Sequence, residues 1–558
     1  VAPQGRRAEV AEGIHTVDRR GVGRSDRRGG DGHTPFSEES SHLAEQQLVA
    51  EVRRADPSGH GHPVSHGGRH YREAMQRPGA RPHADVPSRL VDRTPTALVV
   101  ALVAFLVVTW ARSFGLPLGD SHEGRVIGQF ALHVRNFWDL GPSSSSFGAA
   151  WQPFSDVPYT HHPPLLTGIH LMVSTVFGQG LWQLKAVSYL AGLATVPAFF
   201  WVGRRMGFGA LPVAAATGAL VATPFWWVYG RLGLGFLPNL LMIGMVLMVA
   251  DGTTGRGLRR VAVASAAAVA ASWQGVFLAP LLWLWLLRRR GVDRTVVVVG
   301  AAMVAGALVV LAWVTQGGGV TELSDHAGSR VGFDWTISEF LDRQWTFARR
   351  LLPAWYLVLA LPALVAGLVD TRTRFLTAAL ASMVVVFAVV PADNAWVHDY
   401  WNFPALMALF PGFVALADRV SRAANGMRRG VVEGVLAALL VVALVGLSPS
   451  DTHDRYFGAP AEAGRLVDAV GPAGGQTTIW HTPQVPWPTW ISRAWSLPTG
   501  AVASSADVAT VADDDRVVIR LDRLPAFLDG SVGDDALAVR GSYAVVTGSE
   551  LRHHLLSQ

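Results

Sequence analysis

The sequence has no cysteine, one lysine and few charges of either sign. Without cysteine there is no disulfide, no thiolate nucleophile and no cysteine-bound zinc or iron–sulfur centre. Charged residues make up 16% of the 558 positions and hydrophobic residues 50%, whereas an average soluble domain carries about 25% charged residues. The deficit makes lipid part of the solvent. The net charge of +5 comes from arginine, since Lys185 is the only lysine. A basic balance can signal nucleic acid, but these arginines sit at the ends of apolar runs, where they set membrane topology.

Residues 1–93 lack something else, a sustained apolar periodicity. They are rich in Arg, His, Gly, Ser and Asp, and such a segment cannot bury enough surface to offset its ordering entropy. A disordered cytoplasmic segment is expected. It has no short basic start followed by an apolar core, so it does not read as a cleavable signal peptide. A misplaced translation start is an alternative origin for it, and no chemistry is assigned to it.

What is present is a series of long apolar runs, beginning near 95, 186, 210, 233, 259, 275, 294, 353, 375, 403 and 431. A spanning helix needs roughly 17–25 mainly apolar residues. Arginine pairs and clusters at Arg204–Arg205, Arg259–Arg260, Arg288 to Arg290, Arg372 with Arg374, and Arg419 to Arg429 can all face the cytoplasm under one layout. That layout has an inside N-terminus, about eleven spans and an outside tail. It requires 258–288 to be a tight helix pair turning near Trp273–Gln274–Gly275. It also requires 163–180 to lie at the outer interface without crossing.

The fold class expected is therefore an all-α polytopic membrane protein. Residues 94–448 form the transmembrane domain with an outer loop at 113–182, and 449–558 form a small extracytoplasmic α/β domain. The tail shows β-type runs at Thr477–Trp480, Val517–Leu521 and Tyr543–Val546, with helices near 460–470 and 549–556. The span interiors carry almost no ionisable residues, which counts against ion-coupled transport or a hydrophilic lipid-flipping path. A lipid flippase or a non-enzymatic cell-envelope protein is the alternative class.

The polar chemistry is concentrated in the outer segments. The first reads Asp120-Ser121-His122-Glu123, continues as a helical pattern to Asp139-Leu140-Gly141, and ends in His161-His162-Pro163-Pro164-Leu165. Asp120 and Glu123 lie three apart, so one helical turn places both carboxylates on one side. A carboxylate partly desolvated at a membrane surface gains base strength. The simpler reading is an N-cap at Asp120 with Glu123 in the first turn, and the two are compatible. Adjacent histidines in a strand point apart, so a structural or substrate-contacting role suits His161 and His162 better than joint metal ligation.

Taken in order, these motifs resemble the protein O-mannosyltransferase and aminoarabinose transferase group of the glycosyltransferase C superfamily. Lys185 falls where that group carries a basic residue opening the second span. Tyr229-Gly230-Arg231 resembles its outer-face arginine, and His398-Asp399-Tyr400-Trp401 its His-x-Tyr segment. The resemblance covers roughly 95–450. It implies transfer of a sugar from a polyprenyl-phosphate donor to a cell-envelope acceptor, lipid, polysaccharide or protein, on the outer face of the cell membrane. It implies Asp120 as catalytic base and Glu123 as orienting or substitute base. It makes Lys185, Arg231 and His398 the donor phosphate site, and His161, His162 and Tyr400 substrate contacts. The chain departs from the group at Thr160 and across Gly235–Asn239, where acidic residues are common. A divalent ion such as Mg²⁺ would take oxygen ligands at Asp120 and Glu123. With the further acidic positions absent, a reaction with no required cofactor is favoured.

Overall fold

The computed structural model describes residues 93–423 apart from short gaps at 119–121, 152–157, 233–235, 251, 253–255, 317–318 and 329–334. Beyond these it describes 462, 464–466, 478–481, 499–502, 504–521 and 536–557. The expected disordered segment, Asp120 and the run at 431 lie outside the described residues.

Helix α1 (Arg93–Phe114) is followed by α2 (His122–Ser144) and by α3 (Leu165–Phe177). Next come α4 (Leu181–Arg205), α5 (Ala210–Val221) and the short α6 (Pro224–Tyr229), which tightens into a 3-10 turn at Gly230–Leu232. Then follow α7 (Phe236–Ala250), α8 (Arg256–Ala271), α9 (Trp273–Arg290), α10 (Arg294–Val314) and α11 (Gly319–Gly328). The helical part closes with α12 (Ile337–Leu351), α13 (Ala354–Val369), α14 (Arg374–Val389), α15 (Ala392–Val397), a 3-10 turn at Asp399–Asn402, and α16 (Pro404–Ala423).

Each expected run that lies within the described residues thus folds as helix. Among the described residues four helices are long and apolar enough to cross a membrane: Pro95–Phe114, α4, α10 and Asp399–Ala423. Counting each bent pair as one span raises this to six. The remaining apolar helices are shorter, and α3, at the expected outer interface, is one of them.

Local chemistry explains the breaks. Ser272 ends α8 and caps α9, its side chain accepting from the Gly275 amide at 3.1 Å, so the tight pair turns one residue before the expected place. Gly291, at φ 71°, closes α9, a conformation that a Cβ would strain. Asp293 then caps α10 and binds Arg290 at 2.7 Å. Thr223 accepts from the Trp226 amide at 3.1 Å and Pro224 starts α6, bending α5 and α6 by 74°. Leu352–Pro353 separates α12 from α13, which meet at 115°. Thr336 and Glu339 form a capping box at the start of α12.

The core gathers Leu102, Leu106, Phe199, Trp226, Tyr356, Phe403 and Phe410 from many helices. Backbones approach closely where glycine allows it: a Cβ on Gly306 would meet Ala266 of α8, and one on Gly412 would meet the Ala363 carbonyl of α13. The outward faces stay apolar, as Val100, Val108, Val304, Leu308, Val358 and Leu361 show, which suits a lipid surround.

The tail contains a five-stranded sheet, with β1 (Ile479–His481), β2 (Thr499–Ala501), β3 (Arg516–Arg520), β4 (Ala538–Arg540) and β5 (Tyr543–Thr547) in the order β2-β1-β3-β5-β4. β1 runs parallel to β2 and β3, and β5 antiparallel to β3 and β4. Val517, Ile519, Val546 and Leu551 form its core. Buried Asp515 accepts from the Thr478 amide at 2.8 Å and the Trp480 indole at 2.7 Å, tying β1 to β3.

Candidate active site

Ser113 lies in the last turn of α1, and three charged or phenolic side chains reach it. Lys185, in the first turn of α4, is fully buried, and its ammonium donates to the Ser113 carbonyl at 2.8 Å and to the Leu116 carbonyl. The Ser113 carbonyl belongs to the C-terminal end of α1, where partial negative charge gathers. Arg231, in the 3-10 turn after α6, is also buried, and its guanidinium donates to Ser113 Oγ. Tyr189, one turn after Lys185, places its hydroxyl 2.9 Å from Ser113 Oγ. The Arg231 guanidinium lies 5.8 Å from the Tyr189 ring centre.

Glu123 stands in the first turn of α2, as the sequence spacing predicts. It is buried, accepts from the Tyr189 hydroxyl at 2.5 Å, and lies 3.9 Å from the Lys185 ammonium. Burial removes the simpler readings of both cations. A surface anchor would resemble Trp182, which is 53% exposed, and a snorkelling arginine would reach water. Lys185 and Arg231 instead bring two charges onto one serine in a low-dielectric setting, an arrangement that nearby anions stabilise.

Asp399 begins the 3-10 turn before α16. It accepts from the hydroxyl of Tyr229, which is fully buried at the end of α6, and lies 4.0 Å from Arg350 of α12. The His398 and Tyr400 rings are 4.9 Å apart, and Tyr400 lies 5.8 Å from Tyr229. The structure therefore brings the segments of Glu123, Lys185, Arg231 and His398 to one end of the bundle. Arg204 and Arg372 meet at the other end, one bonding the Phe208 carbonyl at 2.8 Å and the other covering its ring. Arg290 bonds the Val249 carbonyl at 2.7 Å, at the close of α7.

His161 and His162 belong to a second, aromatic cluster. His161 is buried and His162 exposed, and both rings lie near that of Tyr159, at 4.3 and 6.0 Å. Tyr159 stacks on Trp151 at 4.3 Å and packs on His161 at 4.3 Å, while the Trp273 indole donates to the His161 carbonyl at 2.7 Å. His133 of α2 joins from the side, 5.7 Å from Trp151. Among the described residues no three His, Asp or Glu side chains form a group that could hold a metal ion.

Sequence reasoning did not single out Ser113 and Tyr189. A serine ending a span and a tyrosine near an interface carry no signal alone. The spacing of Lys185 and Tyr189, which puts both on one helical face, was the available clue.

No protein-family model matches the chain, and no curated protein matches its sequence. Solved structures do match. ArnT from Cupriavidus metallidurans, bound to undecaprenyl phosphate, superposes with a TM-score of 0.52 at 16% identity, covering 81% of this chain and 98% of that one. The same protein in its apo state matches at a TM-score of 0.52 and 16% identity over 82% and 99%. The oligosaccharyltransferase of Archaeoglobus fulgidus in its apo form overlaps more loosely, at a TM-score of 0.43 and 13% identity over 78% and 70%. The chain has the fold of ArnT.

Proposed function

We propose that this protein is a membrane glycosyltransferase that moves a sugar from a polyprenyl-phosphate donor to an acceptor hydroxyl of the cell envelope, on the outer face of the cell membrane. The observation that carries the proposal is the convergence of buried Lys185 and Arg231 on Ser113 beside Glu123. The fold adds support, since ArnT of that fold has been captured with undecaprenyl phosphate. The outer placement is supported by the arginine groups around Phe208 and Val249, which gather at the opposite end of the bundle, where cytoplasmic arginines belong.

In this reading the acceptor oxygen attacks the anomeric carbon, the bond from that carbon to the phosphate oxygen breaks, and the hydroxyl proton passes to Asp120. Phosphate is a good leaving group, so its departure needs charge stabilisation and no general acid. Lys185 and Arg231 supply fixed positive charge in a water-poor site, Arg231 with the geometry to hold two phosphate oxygens. Glu123 contributes by holding Tyr189 and offsetting Lys185, a positioning task more than proton transfer. His398 and Tyr400 line the approach from the α16 side, and His161 and His162 contact substrate from the Trp151 cluster. No resident cofactor enters this scheme.

The test is sugar transfer from a polyprenyl-phosphate sugar in liposomes. Asp120→Asn keeps size and hydrogen bonding but loses proton-accepting power. Transfer should fall by about 10²-fold or more with donor binding retained. Asparagine caps helices nearly as well as aspartate, so full activity of the variant would overturn the assignment.

A further inference from the structure

Asp399 has no place in the phosphate site as read above, yet it is buried and bonded to the segment that carries Arg231. Its carboxylate accepts from the Tyr229 hydroxyl and faces Arg350 at 4.0 Å. Tyr229 is fixed around its ring by Phe225 at 5.6 Å and Phe403 at 6.0 Å, and it stands two residues before Arg231. The intervening Gly230 is gripped from both sides: a Cβ on Gly192 of α4 would overlap the Gly230 carbonyl, and a Cβ on Gly230 would meet the Trp226 ring at 2.9 Å.

Three residues therefore set the direction in which Arg231 leaves the backbone. Gly192 limits the turn on the α4 side, and Tyr229 with Asp399 holds it on the α16 side. A carboxylate suits this task better than a neutral acceptor, because a hydrogen bond to a charged acceptor is shorter and stronger, and Arg350 compensates its charge. We infer that Asp399 is a positioning residue: through Tyr229 it holds the turn that keeps Arg231 on Ser113, next to Lys185. The inference rests on the reading of Arg231 as part of a donor phosphate clamp.

The experiment titrates the purified full chain in detergent with undecaprenyl phosphate, and records the melting temperature of every variant. Tyr229→Phe removes one oxygen and leaves the ring packed. Asp399→Asn keeps the volume and weakens the acceptor. Each should weaken binding by about tenfold, the scale of a lost hydrogen bond to a buried charge, with melting temperatures close to the wild type. The double variant should bind no worse than either single one, because both remove the same link. Additive losses would overturn the inference by showing separate roles, as would lowered melting temperatures with binding unaltered. Arg231→Ala separates the two levels. If it weakens binding and Tyr229→Phe does not, only the positioning role falls. If Arg231→Ala itself leaves binding unchanged, the clamp fails and takes the positioning role with it.

Discussion

Tyr189 donates its hydroxyl hydrogen to Glu123 across 2.5 Å, joining α4 to α2 at the point where Lys185 and Arg231 approach Ser113. The bond makes Glu123 part of the frame that holds two cations in place.

Glu123→Gln keeps an acceptor for Tyr189 and removes the charge beside Lys185. Sugar transfer should fall by about tenfold, less than the loss at Asp120→Asn, where a base is removed. Parallel transfer assays on the two variants check the order. A larger loss at Glu123 would make it the base.

Gly192→Ala should destabilise the protein, although alanine in a helix interior normally stabilises by roughly 1 kcal/mol over glycine. Its Cβ would overlap the Gly230 carbonyl, and overpacking of this kind costs about 1–3 kcal/mol. Thermal unfolding in detergent should show a lower midpoint, together with weaker undecaprenyl phosphate binding as the Arg231 turn shifts. An unchanged midpoint would mean that the turn yields freely.

His170 of α3 makes stability depend on pH. It is buried against Phe130, stacked at 4.3 Å, and among the described residues neither ring nitrogen has a hydrogen-bond partner. Burial lowers its pKa from 6.5 to about 3. The folded state therefore binds fewer protons than the unfolded state between these values. The stability it allows is complete above pH 6.5 and is lost as pH falls toward 3. His170→Phe removes the titration and keeps the stack, so its melting midpoint should exceed the wild type by more at pH 5 than at pH 8. Equal differences at both pH values would contradict the burial argument.

The absence of cysteine allows a direct test of sidedness. Ser505→Cys, at an exposed position of the tail domain, should react with an impermeant thiol reagent applied to intact cells. Val292→Cys, 83% exposed in the turn after Arg288 to Arg290, should react only after the membrane is opened. The reverse pattern would invert the layout.

How far the sequence foretold this structure differs from one feature to the next. The helices were legible because a run of apolar residues has few other uses, whereas Lys185 and Arg231 were singled out only through the family resemblance of the motifs around them. The 74° and 115° bends were written at Thr223–Pro224 and Leu352–Pro353, since the residue before a proline is biased away from helix. Apolar content alone hid them, because it sums across a bend. Ser113, Tyr189 and Asp399 were not legible as a network. Their partners lie 76 residues away for Ser113 and Tyr189 and 170 for Tyr229 and Asp399, and only the packing of α1, α4, α6 and α16 brings them together.

The lipid that the protein keeps through purification tests the central claim most directly. Mass spectrometry of the protein extracted from membranes should find a polyprenyl phosphate, or its sugar ester, on the wild type. The signal should be strongly depleted in Lys185→Ala and Arg231→Ala at equal amounts of folded protein. A wild type carrying only bulk phospholipid, or equal retention in all three proteins, would contradict the account.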